Sequence, residues 1–195
     1  RRRQRWRDVN ELRRPDRAPV WCRIALARRE VLPESELQCT DPTCRAMERT
    51  FRYDLLKQEI GDDHIVEAWW PVRAVIRPEQ TPTWGLQIKQ SIGSTEVGGF
   101  KYYHPIETPE DYEKLRVPSF YYDAEATERA AAQAAEILDD AMPVRIEGSP
   151  PVAPMQQNLL EALRGMGPMV EDLAFRPELV HRAMAKLTEG ALNGM

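Results

Sequence analysis

Three apolar runs too short for helices punctuate the chain: "APVWCRIAL" at 18–26, "HIVEAWWPV" at 64–72 and "MPVRIEG" at 142–148. Strong helical patterns stand between and after them. The first run is interrupted only by Arg23, as expected of a parallel strand covered on both faces. In "TDPTCRAMERTFRYDLLKQEIG", Thr40 or Asp41 is placed to cap, Met47, Phe51, Leu55 and Leu56 recur at helical spacing, and Gly61 ends the helix. "DAEATERAAAQAAEILDD" is the strongest helix, with Asp123 as cap and alanine throughout. Strand, helix, strand, helix, strand is the rhythm of a parallel α/β sheet.

Two stretches depart from it. Residues 73–106 read as an inserted antiparallel hairpin, because "WGLQIKQSI" and "FKYYHPI" alternate around the turn "GSTEVGG". "ETPEDYEKLRVPSF" reads as a short capped helical turn followed by an extended linker. After the third strand, Pro150, Pro151 and Pro154 stiffen a loop. Three helical pieces follow: "MQQNLLEALRG" stopped at Gly165, "PMVEDLAF", and "RPELVHRAMAKLTEGAL" opening on Pro177 with a Val180, Met184, Leu187 stripe.

Charge is unevenly placed. The net charge of -4 over 195 residues gives no reason to expect a nucleic-acid or membrane partner. Residues 1–29 nevertheless hold 11 Arg against Asp8, Glu11 and Asp16. "RRRQRWR" reads first as a solvated helix over residues 1–17 with Trp6, Val9 and Leu12 on its apolar side, and only second as a phosphate-binding arm. Three cysteines without metal-ligand spacing point to a reducing, cytoplasmic setting and no zinc site at Cys39 and Cys44. No signal peptide or membrane-length apolar run is visible.

"PVW" at Pro19–Trp21, "IETPEDYEKLRVPSF", and "PVRIEGSPPVAP" followed by "MVEDLAFRPELVHRAMAKLTEGAL" together resemble the N-terminal half of the uroporphyrinogen decarboxylase superfamily. The resemblance runs from about residue 4 to the end and lies in order and spacing. It implies that residues 1–195 form part of one (β/α)8 TIM barrel, with about three parallel barrel strands and the hairpin inserted. Such barrels ordinarily need about 250 residues, so an incomplete domain is expected. A parallel sheet cut after three strands leaves a bare edge, so association or poor solubility is expected with it.

The superfamily holds a tetrapyrrole decarboxylase and corrinoid-dependent methyltransferases. The decarboxylase follows its Pro-Val-Trp with Met-Arg-Gln-Ala-Gly-Arg, whose two arginines hold substrate carboxylates. Here the chain reads "CRIALARR", so the paired motif is not intact and the resemblance favours corrinoid-linked methyl transfer to or from a small molecule. The methyltransferases use zinc, held by His and Cys expected beyond Met195, and a corrinoid. The alternatives are uroporphyrinogen decarboxylation and a non-catalytic member that binds a corrinoid protein, with Arg1, Arg2, Arg3 and Arg5 as contact surface.

Barrel chemistry sits at the C-terminal ends of strands. Arg28 and Arg29 follow the first strand and are placed to clamp an anionic substrate, or to meet solvent at a surface turn. Glu67, lying where the decarboxylase carries a strand Asp, is a candidate proton carrier, or else a structural partner for Arg23 or Arg145. Trp69 and Trp70 alternate sides, one towards a cavity mouth and one towards packing. Ser149 ends the third strand as a ligand contact or a plain turn residue. The expected partner is a small-molecule, tetrapyrrole or corrinoid substrate, with no cofactor held by this segment itself.

Overall fold

A computed structural model describes residues 1–23, 28–92, 100–152 and 155–194. They form a mixed α/β chain in two compact units, one of 1–70 with 137–143 and one of 71–136 with 144–195. No helix among the described residues is long and apolar enough to cross a membrane.

The first unit holds α1 (Arg2–Asn10), α2 (Arg28–Val31), a 3-10 turn at Glu34–Glu36, and α3 (Pro42–Ile60). Local chemistry sets the ends of α3. The Asp41 carboxylate accepts from the amides of Thr43 and Cys44 at 2.9 Å, Pro42 occupies the first turn, and Gly61 closes the helix at φ 75°. That left-handed backbone favours glycine. Glu48 reaches back from α3 to the amides of Gln38 and Cys39 and to Arg52, which hold its carboxyl down at about 2.

Asp62 and Asp63, both buried, follow Gly61 and organise the unit. Asp63 accepts from the Val20 amide at 2.8 Å, from Arg5 Nη1 at 2.8 Å and from both terminal nitrogens of Arg17. The Val20 amide first, then the two guanidinium groups, hold its carboxyl well below the usual range against the opposing effect of desolvation. Its own backbone receives Trp6 Nε1 at 2.8 Å and donates to the Val20 carbonyl at 2.7 Å. Asp62 accepts from the Cys22 amide at 2.8 Å and from the fully buried Lys57, whose ammonium also meets the Cys22 carbonyl and lies 5.6 Å from the Trp21 ring centre.

This corrects the first expected strand over its described part. Residues 18–23 carry no strand, and Ile24–Ala27 lie outside the described residues. The amides of Val20 and Cys22, which would feed a sheet ladder, are instead taken by two carboxylates. Val20 and Trp21 are moreover half-exposed, so these residues are neither buried nor paired as a strand, their backbone donors being satisfied by side-chain carboxylates instead.

The second unit contains β1 (Trp70–Arg73), β2 (Ile76–Pro78), β3 (Lys89–Ile92), β4 (Phe100–Tyr103), a 3-10 turn at Pro109–Lys114, β5 (Phe120–Tyr122), α4 (Ala124–Leu138), β6 (Val144–Glu147), α5 (Gln156–Arg164), α6 (Met166–Phe175) and α7 (Pro177–Leu192), with β1 and α4 crossing its boundary. β1 pairs with β6. The Trp70 amide donates to the Pro143 carbonyl and the Ala74 amide to that of Glu147, both at 2.8 Å. Residue numbers rise together along both strands, so the pair is parallel. The second and third expected strands are therefore neighbours, although the second is shortened to four residues.

β3 and β4 form the expected antiparallel pair, running from Lys89 opposite Tyr103 to Ile92 opposite Phe100. A third pair was not anticipated. β2 lies antiparallel to β5, Ile76 opposite Tyr122 and Pro78 opposite Phe120, where the sequence reads as linker.

The core of this unit joins the loop residue Trp84 and Ile106, Tyr112 and Leu115 to α5 and α7 through Leu160, Leu163, Val180 and Leu187. A Cβ at Gly190 would stand 2.5 Å from both the Trp84 ring and Pro118, so only glycine admits this approach. Asp172 of α6, fully buried, ties the helices together. It accepts from Arg164 Nε at 2.7 Å, Tyr112 OH at 2.9 Å and Arg176 Nη2 at 2.6 Å, while Arg164 also donates to the carbonyls of Ile106 and Glu107.

Burial alone would raise the Asp172 carboxyl, but hydrogen bonds from Arg164, Arg176 and Tyr112 outweigh it and hold the group below its ordinary range. Burial, reinforced by Asp172, pushes the Tyr112 hydroxyl up to about 12. The stabilisation from Asp172 is therefore present above an unfolded-state value of about 3.9 and is lost as pH falls through the lower native one. That from Tyr112 is complete below about 10 and is lost as pH rises through about 12. Asp172→Asn is expected to cost about 3–5 kcal/mol at neutral pH by leaving the buried Arg164 guanidinium unpaired. In denaturant titrations, the stability difference between wild type and Tyr112→Phe is expected to shrink between about pH 10 and 12; a difference that stays flat there contradicts the assignment.

Candidate functional site

The parallel pairing brings the C-terminal ends of β1 and β6 side by side. Arg73, the last residue of β1, is exposed, and its Nη1 donates to Ser149 Oγ at 3.0 Å. Ser149 stands two residues beyond β6, at the head of the proline-rich loop.

The chain leaving β1 is held by the start of α4. Asp123 caps that helix by accepting from the Ala126 amide at 3.0 Å, and it receives Arg77 Nε at 2.6 Å. Arg77 first, then the Ala126 amide, lower its carboxyl. The fully buried Thr127 hydroxyl accepts from the Val75 amide at 2.9 Å and donates to the Asp123 carbonyl, while the Asp123 amide returns to the Val75 carbonyl. Arg73 is thus two residues from a fixed point on a helix N-terminus. A guanidinium hydrogen-bonded to a neutral hydroxyl keeps its charge and spare donors for an anion.

Ser149 is accordingly placed beside a cation that the sequence reading did not single out. Its signal was present, since Arg73 directly follows the apolar run at 64–72, and the observed strand ends on it, one residue later than expected. Glu67 lies in irregular backbone three residues before β1. It forms a two-pronged ion pair with Arg3 at 2.6 and 3.2 Å, a partner 64 positions away that was not among those expected. Trp69 is half-buried in the bend before β1, and Trp70 packs on Phe51 with ring centres 5.2 Å apart. The side chains of Arg28 and Arg29 lie outside the described residues; their backbone opens α2.

Each described histidine-to-protein bond is local in purpose. His64 Nε2 meets Asp54 at 2.9 Å, and His104 Nδ1 meets the Ala162 carbonyl at 2.9 Å. Among the described residues no three His, Cys, Asp or Glu side chains converge as metal ligands.

A search of protein families, of curated proteins and of solved structures finds no match to this chain.

Two arginines near the start of α1 differ in role. Arg5 is mostly buried between Asp16 and Asp63, whereas Arg3 and Glu67 are half-exposed. Exposed ion pairs contribute little. Glu67→Gln is therefore expected to leave the melting temperature within about 3 °C of wild type, while Arg5→Ala lowers it clearly more. Calorimetry showing the reverse order contradicts this division.

Proposed function

We propose that the chain is part of a uroporphyrinogen decarboxylase-like (β/α)8 barrel enzyme, and that its reaction is corrinoid-linked methyl transfer involving a small anionic molecule. The observation that carries this reading is the parallel β1–β6 pair with Arg73 and Ser149 meeting at its C-terminal end. That is the end at which barrels of this class hold their chemistry. Parallel strands are ordinarily covered on both faces, and Ile146 of β6 is half-exposed, on a surface that further barrel strands and helices would cover.

Arg73 is assigned to hold the anionic end of the substrate and Ser149 to orient that guanidinium. A methylcorrinoid, when bound, would supply a methyl group to the sulfur of an acceptor thiol whose proton passes to solvent, giving a thioether and leaving the bonding electron pair with the corrinoid. This chain's residues bind and orient the acceptor. Its paired-arginine sequence departs from the decarboxylase pattern, which is why carboxylate removal takes second place.

The test is a spectroscopic assay of the complete reading frame with methylcobalamin and 2-mercaptoethanesulfonate. Cob(I)alamin should appear under anaerobic conditions, with Arg73→Ala raising KM for the thiol by about tenfold or more. Release of carbon dioxide from uroporphyrinogen without methyl transfer overturns the reading in favour of the decarboxylase. Neither activity overturns it in favour of a binding role.

A further inference from the structure

A different feature of the first unit, independent of the strand-end site, is an open cleft of about 870 Å³ between the start of α1, one face of α3 and residues 64–66. Its floor is apolar, with Phe51, Leu55 and Val66, and its rim carries Arg1, Arg2 and Arg3. Leu55 is 64% exposed and Val66 40% exposed, an arrangement that leaves apolar surface in water at the bottom of a concavity. The volume falls in the range of about 300–1,000 Å³ usual for small-molecule sites.

The rim charges are not equivalent. Arg3 is neutralised by Glu67, and the nearby Asp54 carboxylate is engaged with His64. Arg2 bonds the neutral side-chain oxygen of Gln58, so its positive charge is held in place at the cleft without being cancelled. An inorganic anion would satisfy the rim and leave the floor bare. A neutral hydrocarbon would cover the floor and forgo the guanidinium. An apolar body carrying one anionic group satisfies both.

We propose that this cleft is a binding site for an amphipathic organic anion, such as a medium-chain carboxylate, with Arg2 receiving the anionic head and Leu55 and Val66 receiving the chain. The probe is decanoate below its micelle concentration, titrated calorimetrically into the full protein, with 1-decanol and sodium sulfate as single-feature controls. Decanoate should bind at one site, about tenfold or more tightly than 1-decanol, and sulfate should not compete.

Leu55→Glu alters an exposed side chain and Arg2→Ala a half-buried one bonded to the neutral Gln58, so both variants should melt close to wild type. Each should weaken decanoate by about tenfold or more. Equal affinity for decanol, binding unaffected by both substitutions, or no binding overturns the proposal. So does binding of phosphatidylglycerol vesicles without free decanoate, which would make the face a membrane contact. A dimer in sedimentation velocity that Leu55→Glu dissociates, with no decanoate bound, overturns it in favour of an interface between copies.

Discussion

Two backbone hydrogen bonds, Trp70 to Pro143 and Ala74 to Glu147, join segments more than 70 positions apart and give the chain its parallel character. A parallel pair needs a long crossover, and every residue of that crossover adds to the entropy of closing it. Part of that cost is met close to the ladder. The Asp123–Thr127–Val75 hydrogen bonds fasten the start of α4 to the chain leaving β1, so the helix that leads to β6 begins at a fixed place. Without the ladder, Arg73 and Ser149 have no reason to meet.

Each unit also rests on a carboxylate with almost no access to water. Asp63 gathers Arg5, Arg17 and the Val20 amide; Asp172 gathers Arg164, Arg176 and Tyr112. A lone buried charge would be prohibitive, whereas one that receives several directed donors is tolerated and fixes its neighbours' geometry. The surplus of arginine in the first 29 residues finds part of its explanation here. Arg5 and Arg17 hold the start of the chain against the turn after α3, and the outer arginines remain at the surface.

Most of the helices were legible because their signals are local, although α1, expected over 1–17, ends at Asn10 and leaves Leu12 exposed, and α2 was not anticipated. Asp41 with Gly61 bounds α3, Asp123 starts α4, and Pro177 opens α7, each within one turn of the end it defines. The turn at Pro109–Lys114 shows the same economy, with Thr108 and Asp111 in a reciprocal cap. Strands depend on partners, and the sequence does not name partners. The run at 18–26 has the composition of a buried strand, yet Asp62 and Asp63 take the amides a ladder would use. Two adjacent acids directly after a helix-ending glycine were the available clue. The β2–β5 pair had only a weak signal, since Pro78 argues against a strand and three residues of "FYY", though aromatic, are too few to show alternation. At the candidate site, Ser149 was readable from its place after an apolar run. Arg73 was overlooked, and the Arg3–Glu67 pair is a meeting of distant segments that periodicity cannot reveal.

The parallel ladder is open to direct measurement by nuclear magnetic resonance, through scalar couplings across hydrogen bonds in isotope-labelled protein. The account predicts couplings from the Trp70 amide nitrogen to the Pro143 carbonyl carbon and from the Ala74 nitrogen to the Glu147 carbonyl carbon. Couplings in which the residue numbers of one strand rise while the other's fall, or unprotected amides at both positions, would contradict it.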